Sequence, residues 1–341
     1  MKTHAMWRYA GSAALLLILA VGLPASAAES LTDVKAKAMA GDATAQCNLG
    51  FKYFLGNGVP KDAAEAIKWW HQAAAQGNAD AQYLLGLRYA DGDGVPQNST
   101  EAVKWARMAA EQGYVEAQQF LGQMYYFGDG VPQDSTEAVK WWRKPAEQGN
   151  AGAQYLLGLR YADGNGVPQD RAEALQWYRQ AAGQGNADAQ RALGYMYFNG
   201  DVVPQDSAEA LQWYRKAAEQ GDVISQNNLG LIYENGDVVP RDSAEAVKWY
   251  RKAAEQRDAA AQRNLGLMYA RGVGVPEDLV QAHIWWSVAG AQGDKDAKEY
   301  LTRVEKEMTA GQKAEAVKQA RALFERLQMK WPKDLDFTPQ N

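Results

Sequence analysis

The sequence predicts an all-α fold built as a solenoid of helical hairpins, and three observations carry that prediction. One 36-residue frame recurs seven times from Ala43 to Asp294 with no insertion or deletion, starting at Ala43, Ala79, Val115, Ala151, Ala187, Val223 and Ala259. Within each copy the recurring apolar residues fall at helical spacing in two stretches. A break containing Gly and Pro parts the two stretches. Periodicity of this length marks stacked repeats, in which each hairpin buries its apolar face only against its neighbours.

The elements follow in chain order. Lys2 and Arg8 precede an apolar run from Ala13 to Val21, then Pro24 and Ala25-Ser26-Ala27. That is the layout of a secretory signal peptide over residues 1–27, with cleavage expected after Ala27 and Ala28 as the second choice. Read instead as an uncleaved anchor, the run falls far short of the roughly 20 residues that span a bilayer. Export predicts a periplasmic or secreted protein. Residues 28–42 then cap the first repeat: Leu31–Gly41 reads as a lone second helix, and Met39-Ala40-Gly41-Asp42 echoes the close of a repeat.

In repeat 1, Ala45, Leu49, Gly50 and Tyr53 share one face of the first helix. Gly56 and Gly58 supply positive φ at its end, and Val59-Pro60 stops it from continuing. Asp62 opens the second helix. Its carboxylate is expected to accept from the Glu65 N–H while Glu65 reaches back to the cap, an acidic capping box. The device recurs as Asn98/Glu101, Asp134/Glu137, Asp170/Glu173, Asp206/Glu209, Asp242/Glu245 and Asp278/Gln281. Seven copies at helix starts read as caps, not as paired catalytic carboxylates.

The second helix carries an apolar stripe of Ala66, Trp69, Trp70, Ala73 and Ala74. The tryptophan column Trp69, Trp105, Trp141, Trp177, Trp213, Trp249 and Trp285 is expected to pack in the core, each ring opposite Gly50 or its equivalent. Residues 295–328 supply the C-terminal cap: Lys295–Leu301 begins an eighth first helix, and Lys313–Leu327 forms an amphipathic helix through Ala316, Ala320, Leu323, Phe324 and Leu327. A tail, 329–341, follows.

The lone Cys47 excludes an intramolecular disulfide, and no cysteine near residue 28 is available for a lipid anchor. Cys47 reads as a small semi-apolar helix residue. Net charge is −5; loss of Lys2 and Arg8 leaves 34 basic against 41 acidic residues, or −7. The signs alternate without a basic stripe, which argues against nucleic acid or an anionic membrane as partner.

The elements LGxxYxxGxGVPxDxxEAxxWxxxAAxQG resemble the Sel1-like repeat, a relative of the tetratricopeptide repeat, over all seven copies. The resemblance implies a right-handed superhelix of antiparallel helix pairs acting as a protein-binding adaptor, in bacteria often in the envelope or exported. A cysteine-rich branch of the family carries a disulfide in each repeat and has been associated with β-lactam or cell-wall hydrolysis, the alternative function here. This chain lacks those cysteines and shows no Ser-x-x-Lys or Lys-Thr-Gly. After export its histidines are His71 and His283, six repeats apart, a poor basis for a Ser-His-Asp set or a zinc site. The expectation is a non-enzymatic scaffold, monomeric, with no catalytic residue, cofactor or metal.

Specificity should lie where the copies disagree. By analogy with tetratricopeptide repeats, positions 2, 5, 9, 12 and 13 of each repeat line a concave groove. The residues expected to meet a protein or peptide partner there are Tyr83, Gln119, Tyr126, Tyr155, Arg191, Tyr195, Phe198, Asn227 and Arg263, with Arg191 and Asn227 as donors to a peptide backbone. Repeats 2 and 4 are nearly the same over Ala81–Gln97 and Ala153–Gln169, consistent with duplication or with two equivalent patches. Pro145 predicts a kink or early end of its helix. Arg257 stands where preceding repeats place the helix-ending Gly, at a cost on the order of 1 kcal/mol if held at positive φ.

Overall fold

A computed structural model describes residues 30–236 and 238–332; the proposed signal peptide and its cleavage point lie outside them. The described residues form 17 helices and no strand. Helix α1 (Leu31–Met39) precedes seven hairpins: α2 (Ala43–Leu55) with α3 (Ala63–Ala75), α4 (Ala79–Asp91) with α5 (Ser99–Glu111), α6 (Val115–Phe127) with α7 (Ser135–Glu147), and α8 (Ala151–Asp163) with α9 (Arg171–Gly183). Then come α10 (Ala187–Asn199) with α11 (Ser207–Glu219), α12 (Val223–Asn235) with α13 (Ser243–Glu255), and α14 (Ala259–Arg271) with α15 (Leu279–Ala291). Helices α16 (Lys295–Glu307) and α17 (Ala310–Arg326) follow. The chain divides into two compact bodies at Ala174 and Leu175, within α9.

Each hairpin turns on the same hydrogen bonds. The first helix ends on Gly in the left-handed region, Gly56 at φ 76° and its equivalents through Gly272. The Asp62 carboxylate accepts from the Glu65 N–H at 2.9 Å, and the equivalent residues do the same. The reciprocal half of the expected capping box is replaced by another arrangement. The Asp62 N–H donates to the Tyr53 carbonyl at 2.8 Å, and the same bond closes every loop through Asp278 to Tyr269. With that donor committed, four of the glutamates turn to lysines three residues on, as in Glu65–Lys68 and Glu245–Lys248, and Glu209 accepts from Trp213. A two-way capping box forms instead at Thr309 and Gln312, which open α17.

Stacking of one repeat on the next uses polar groups that the Gly and Trp pattern conceals. Gln46, Gln82, Gln118, Gln154, Gln190, Gln226 and Gln262 are buried. Each donates Nε2 to a carbonyl eight residues back, at 2.9–3.2 Å. Several also accept from a glutamine at the close of the same repeat, as Gln226 does from Gln256 at 2.8 Å. A second tie joins residue 29 of one repeat to the Tyr hydroxyl of the next: His71 with Tyr89, Arg143 with Tyr161, Arg179 with Tyr197.

The first-helix glycine receives the residue after the expected one. A methyl group added at Gly50 would meet Trp70, and one at Gly194 would meet Tyr214. Adjacent residues on a helix lie about 100° apart, so only one of Trp69 and Trp70 can face the hairpin partner. Trp70 does so, fully buried, and donates Nε1 to the Cys47 carbonyl at 3.2 Å. The Trp69 column packs instead toward the preceding repeat, as Trp105 does with its ring 5.4 Å from that of His71. Pro145 produces no early end: α7 runs to Glu147 like its counterparts. Arg257 is held at φ 73°.

Candidate partner-binding site

Helices α10 and α12 leave large apolar side chains uncovered where the other repeats bury or replace theirs. Tyr195 is 60% exposed, Ile224 50%, Phe198 40% and Leu231 38%. They line a depression of about 440 Å³ together with Asn199, Tyr214, Asn228, Ile232, Asn235 and Val238. Helical spacing places them: Tyr195, Phe198 and Asn199 stand at i, i+3 and i+4, and Ile224, Asn228, Leu231, Ile232 and Asn235 at i, i+4, i+7, i+8 and i+11. None of the ten lining side chains is charged, in a chain that is 23% charged.

Tyr214 is 3% exposed and fixed beneath this face by the space Gly194 vacates. Burial pushes its phenol up to about 12, opposed by a hydrogen bond from Asn228. The hydroxyl is therefore neutral at physiological pH. Carboxamides of Asn199, Asn228 and Asn235 bring donors and acceptors to an otherwise apolar wall.

Of the residues expected to meet a partner, Tyr195 and Phe198 lie in this depression. Three fifth-position residues are engaged with the residue that caps the next repeat's first helix. Gln119 donates to the Asn150 carboxamide at 2.6 Å, Arg191 pairs with Asp222 at 3.0 Å, and Arg263 with Asp294 at 2.7 Å. Those three partners are N-caps of the following first helix, so the fifth position acts as a clamp between repeats. Tyr83 is buried, its ring 5.3 Å from that of Tyr114. Tyr126 packs against Trp142 and lies under the Arg160 guanidinium. Asn227 accepts from Asn264 at 3.3 Å, and Tyr155 is half-buried.

Sequence reasoning placed Ile224 in a groove column without singling it out, and passed over Tyr214, Asn228, Ile232 and Val238. Two signals were available. Ile224 occupies position 2, where the other repeats carry Thr44, Asp80, Glu116, Gly152, Asp188 and Ala260. Val202 and Val238 replace the second loop glycine in repeats 5 and 6 alone, and Val202 is held at φ 71°.

A family profile for the Sel1 repeat matches residues 43–78, 79–114, 115–150, 151–186, 187–222, 223–258 and 259–294. The chain belongs to the Sel1 repeat family. The structure of a Sel1 repeat protein from Oxalobacter formigenes is similar at 38% identity and TM-score 0.71, covering 80% of this chain and 78% of that one. A protective antigen of uropathogenic Escherichia coli is 27% identical over 92% of this chain and all of that one, with TM-score 0.34. A sel1 repeat protein from Klebsiella pneumoniae is 25% identical over 60% of this chain and 99% of that one, with TM-score 0.40. A comparison with curated proteins gave no match. Sel1 repeats are a protein-interaction architecture.

Among the described residues the cysteine and the two histidines are held by burial or by local bonds. Cys47 is buried, and burial pushes its thiol far above the usual range. His71 bonds the Tyr89 hydroxyl; His283 lies buried against Glu305 and Ser287. Among the described residues no group of three metal-ligating side chains converges, and no helix is long and apolar enough to cross a membrane.

Proposed function

We propose that this Sel1 repeat chain is an exported, non-enzymatic scaffold of the bacterial envelope, working in the periplasm or after secretion. It captures an uncharged, apolar segment of a protein partner on the face of α10 and α12. One observation carries the reading: Tyr195, Phe198, Ile224 and Leu231 stand exposed round one depression, whereas exposed large apolar residues elsewhere are scattered singly. Tyr and Phe supply contact area at low entropic cost, and the three asparagines satisfy a partner's backbone groups.

Site-specific photocrosslinking in the native host tests the proposal. A benzoylphenylalanine placed at Leu231 should give a discrete adduct, absent when it replaces Lys68, and Tyr195→Ala with Ile224→Ser should abolish it without changing the circular dichroism. An adduct that persists in the folded double variant, or none at Leu231, overturns the assignment. Amino-terminal sequencing of the mature protein tests export.

A further inference from the structure

Repeats 2 and 4 share a feature absent from the others. Arg88 and Arg160 occupy position 10, where Met124, Met196, Ile232 and Met268 bury apolar side chains. Both guanidiniums are buried, with side chains 6% and 9% exposed. Each lies over an aromatic ring of the preceding repeat, Arg88 over Phe54 at 4.9 Å and Arg160 over Tyr126 at 4.4 Å. A buried guanidinium is stable only when its charge and its N–H groups are matched.

Repeat 2 supplies that match from its own loop. Arg88 Nη1 donates to the Asp93 carboxylate at 3.0 Å, and Nη2 stands 3.6 Å from Asp91. In repeat 4 the Nη2 partner is kept, Asp163 at 3.4 Å, but Asn165 stands where Asp93 stood. Nη1 of Arg160 is consequently buried with no hydrogen-bond partner, whereas the Nε atoms of Arg88 and Arg160 alike have none. The Asn165 side chain is exposed and reaches only the Tyr126 hydroxyl, at 3.5 Å.

We propose that Arg160 is a receptor for a carboxylate group brought by a ligand. Asn165 swings aside, and the incoming carboxylate takes the place that Asp93 fills beside Arg88, giving Arg160 the two anionic neighbours Arg88 already has. Charge-assisted bonds between guanidinium and carboxylate are among the stronger polar contacts in proteins, and stacking on Tyr126 holds the guanidinium plane ready. The site is independent of the apolar depression on α10 and α12, since its residues lie in the other compact body.

Two substitutions isolate the effect. Arg160→Met installs the residue found at the same position of repeats 3 and 5, and Asn165→Asp supplies the missing carboxylate internally. With full-length mature protein, replacing chloride by acetate should raise the melting temperature of the wild type by about 2 °C more than that of either variant. Asn165→Asp should itself melt higher than wild type in chloride. Acetyl-Ala-Ala with a free carboxy-terminus and acetyl-Ala-Glu-amide, titrated while following side-chain Arg resonances, assign the source: whichever saturates the Arg160 signal carries the physiological group. An acetate response equal in all three proteins, or no saturable shift with either peptide, overturns the proposal.

Discussion

A methyl group built on Gly194 would stand 2.7 Å from Cδ1 of Tyr214, closer than any real contact. Gly194 is therefore a socket for the ring that closes the floor of the apolar depression. Gly194→Ala should cost about 1–3 kcal/mol in urea unfolding, the range for an overpacked core. Combined with Tyr214→Ala it should add little beyond the loss from the smaller ring, because the clashing partner is gone.

The buried glutamines are not equivalent. Gln226 donates to the Ala218 carbonyl and accepts from Gln256, whereas Gln118 donates to Ala110 while its Oε1 has no partner. Gln226→Ala should destabilise by about 1 kcal/mol more than Gln118→Ala, the worth of one further buried hydrogen bond. Denaturant midpoints of the two variants give the comparison; equal losses would discount the second bond.

Arg257 holds φ 73° where other repeats place glycines such as Gly221 and Gly293, both at 97°. Arg257→Gly should relieve about 1 kcal/mol of backbone strain and raise the melting temperature by about 2 °C. A melting point that stays the same or falls would show that the arginine side chain compensates.

Burial first, and then the nearby Lys313 charge, lower His283 from 6.5 to about 4. The unfolded chain takes up that proton before the folded one. Stability due to neutral His283 is thus full above about pH 6.5 and is lost as pH falls through the folded value near 4. Urea midpoints should drop between pH 7 and pH 5, and drop less in His283→Gln. Glu305, in contact with His283 and raised by burial, works in the opposite sense and offsets part of the drop.

Purified mature protein should not turn over nitrocefin. Hydrolysis that survives rigorous repurification would revive the β-lactam-directed alternative and contradict the scaffold reading.

The hairpins were legible because their punctuation is local: Gly56, Pro60 and Asp62 act through their own backbone, and a 36-residue frame repeats that message seven times. Contacts between repeats were less legible. Which of Trp69 and Trp70 meets Gly50 depends on how two helices face each other, and helical spacing assigns both to one stripe. The same limit explains the fifth position: Arg191 varies between copies like a ligand reader, yet its charge complements Asp222, the N-cap of the next repeat's first helix. Columns 2, 9, 12 and 13 did contain Ile224, Tyr195, Leu231, Phe198, Asn199 and Asn235. What those columns could not reveal was that apolar choices in two successive copies coincide in space.

The N–H of Asp62 bonded to the carbonyl of Tyr53, and its six counterparts, fix how many residues separate the two helices. Adding or deleting one residue in that loop would break this bond, and with it the constant nine-residue spacing between the carbonyl of the first helix and the capped start of the second. Such a chain can grow or shrink by whole multiples of its frame but not by single residues. Its evolution is therefore restricted to point substitution and to the gain or loss of complete modules, and an engineer extending it should splice at a repeat boundary.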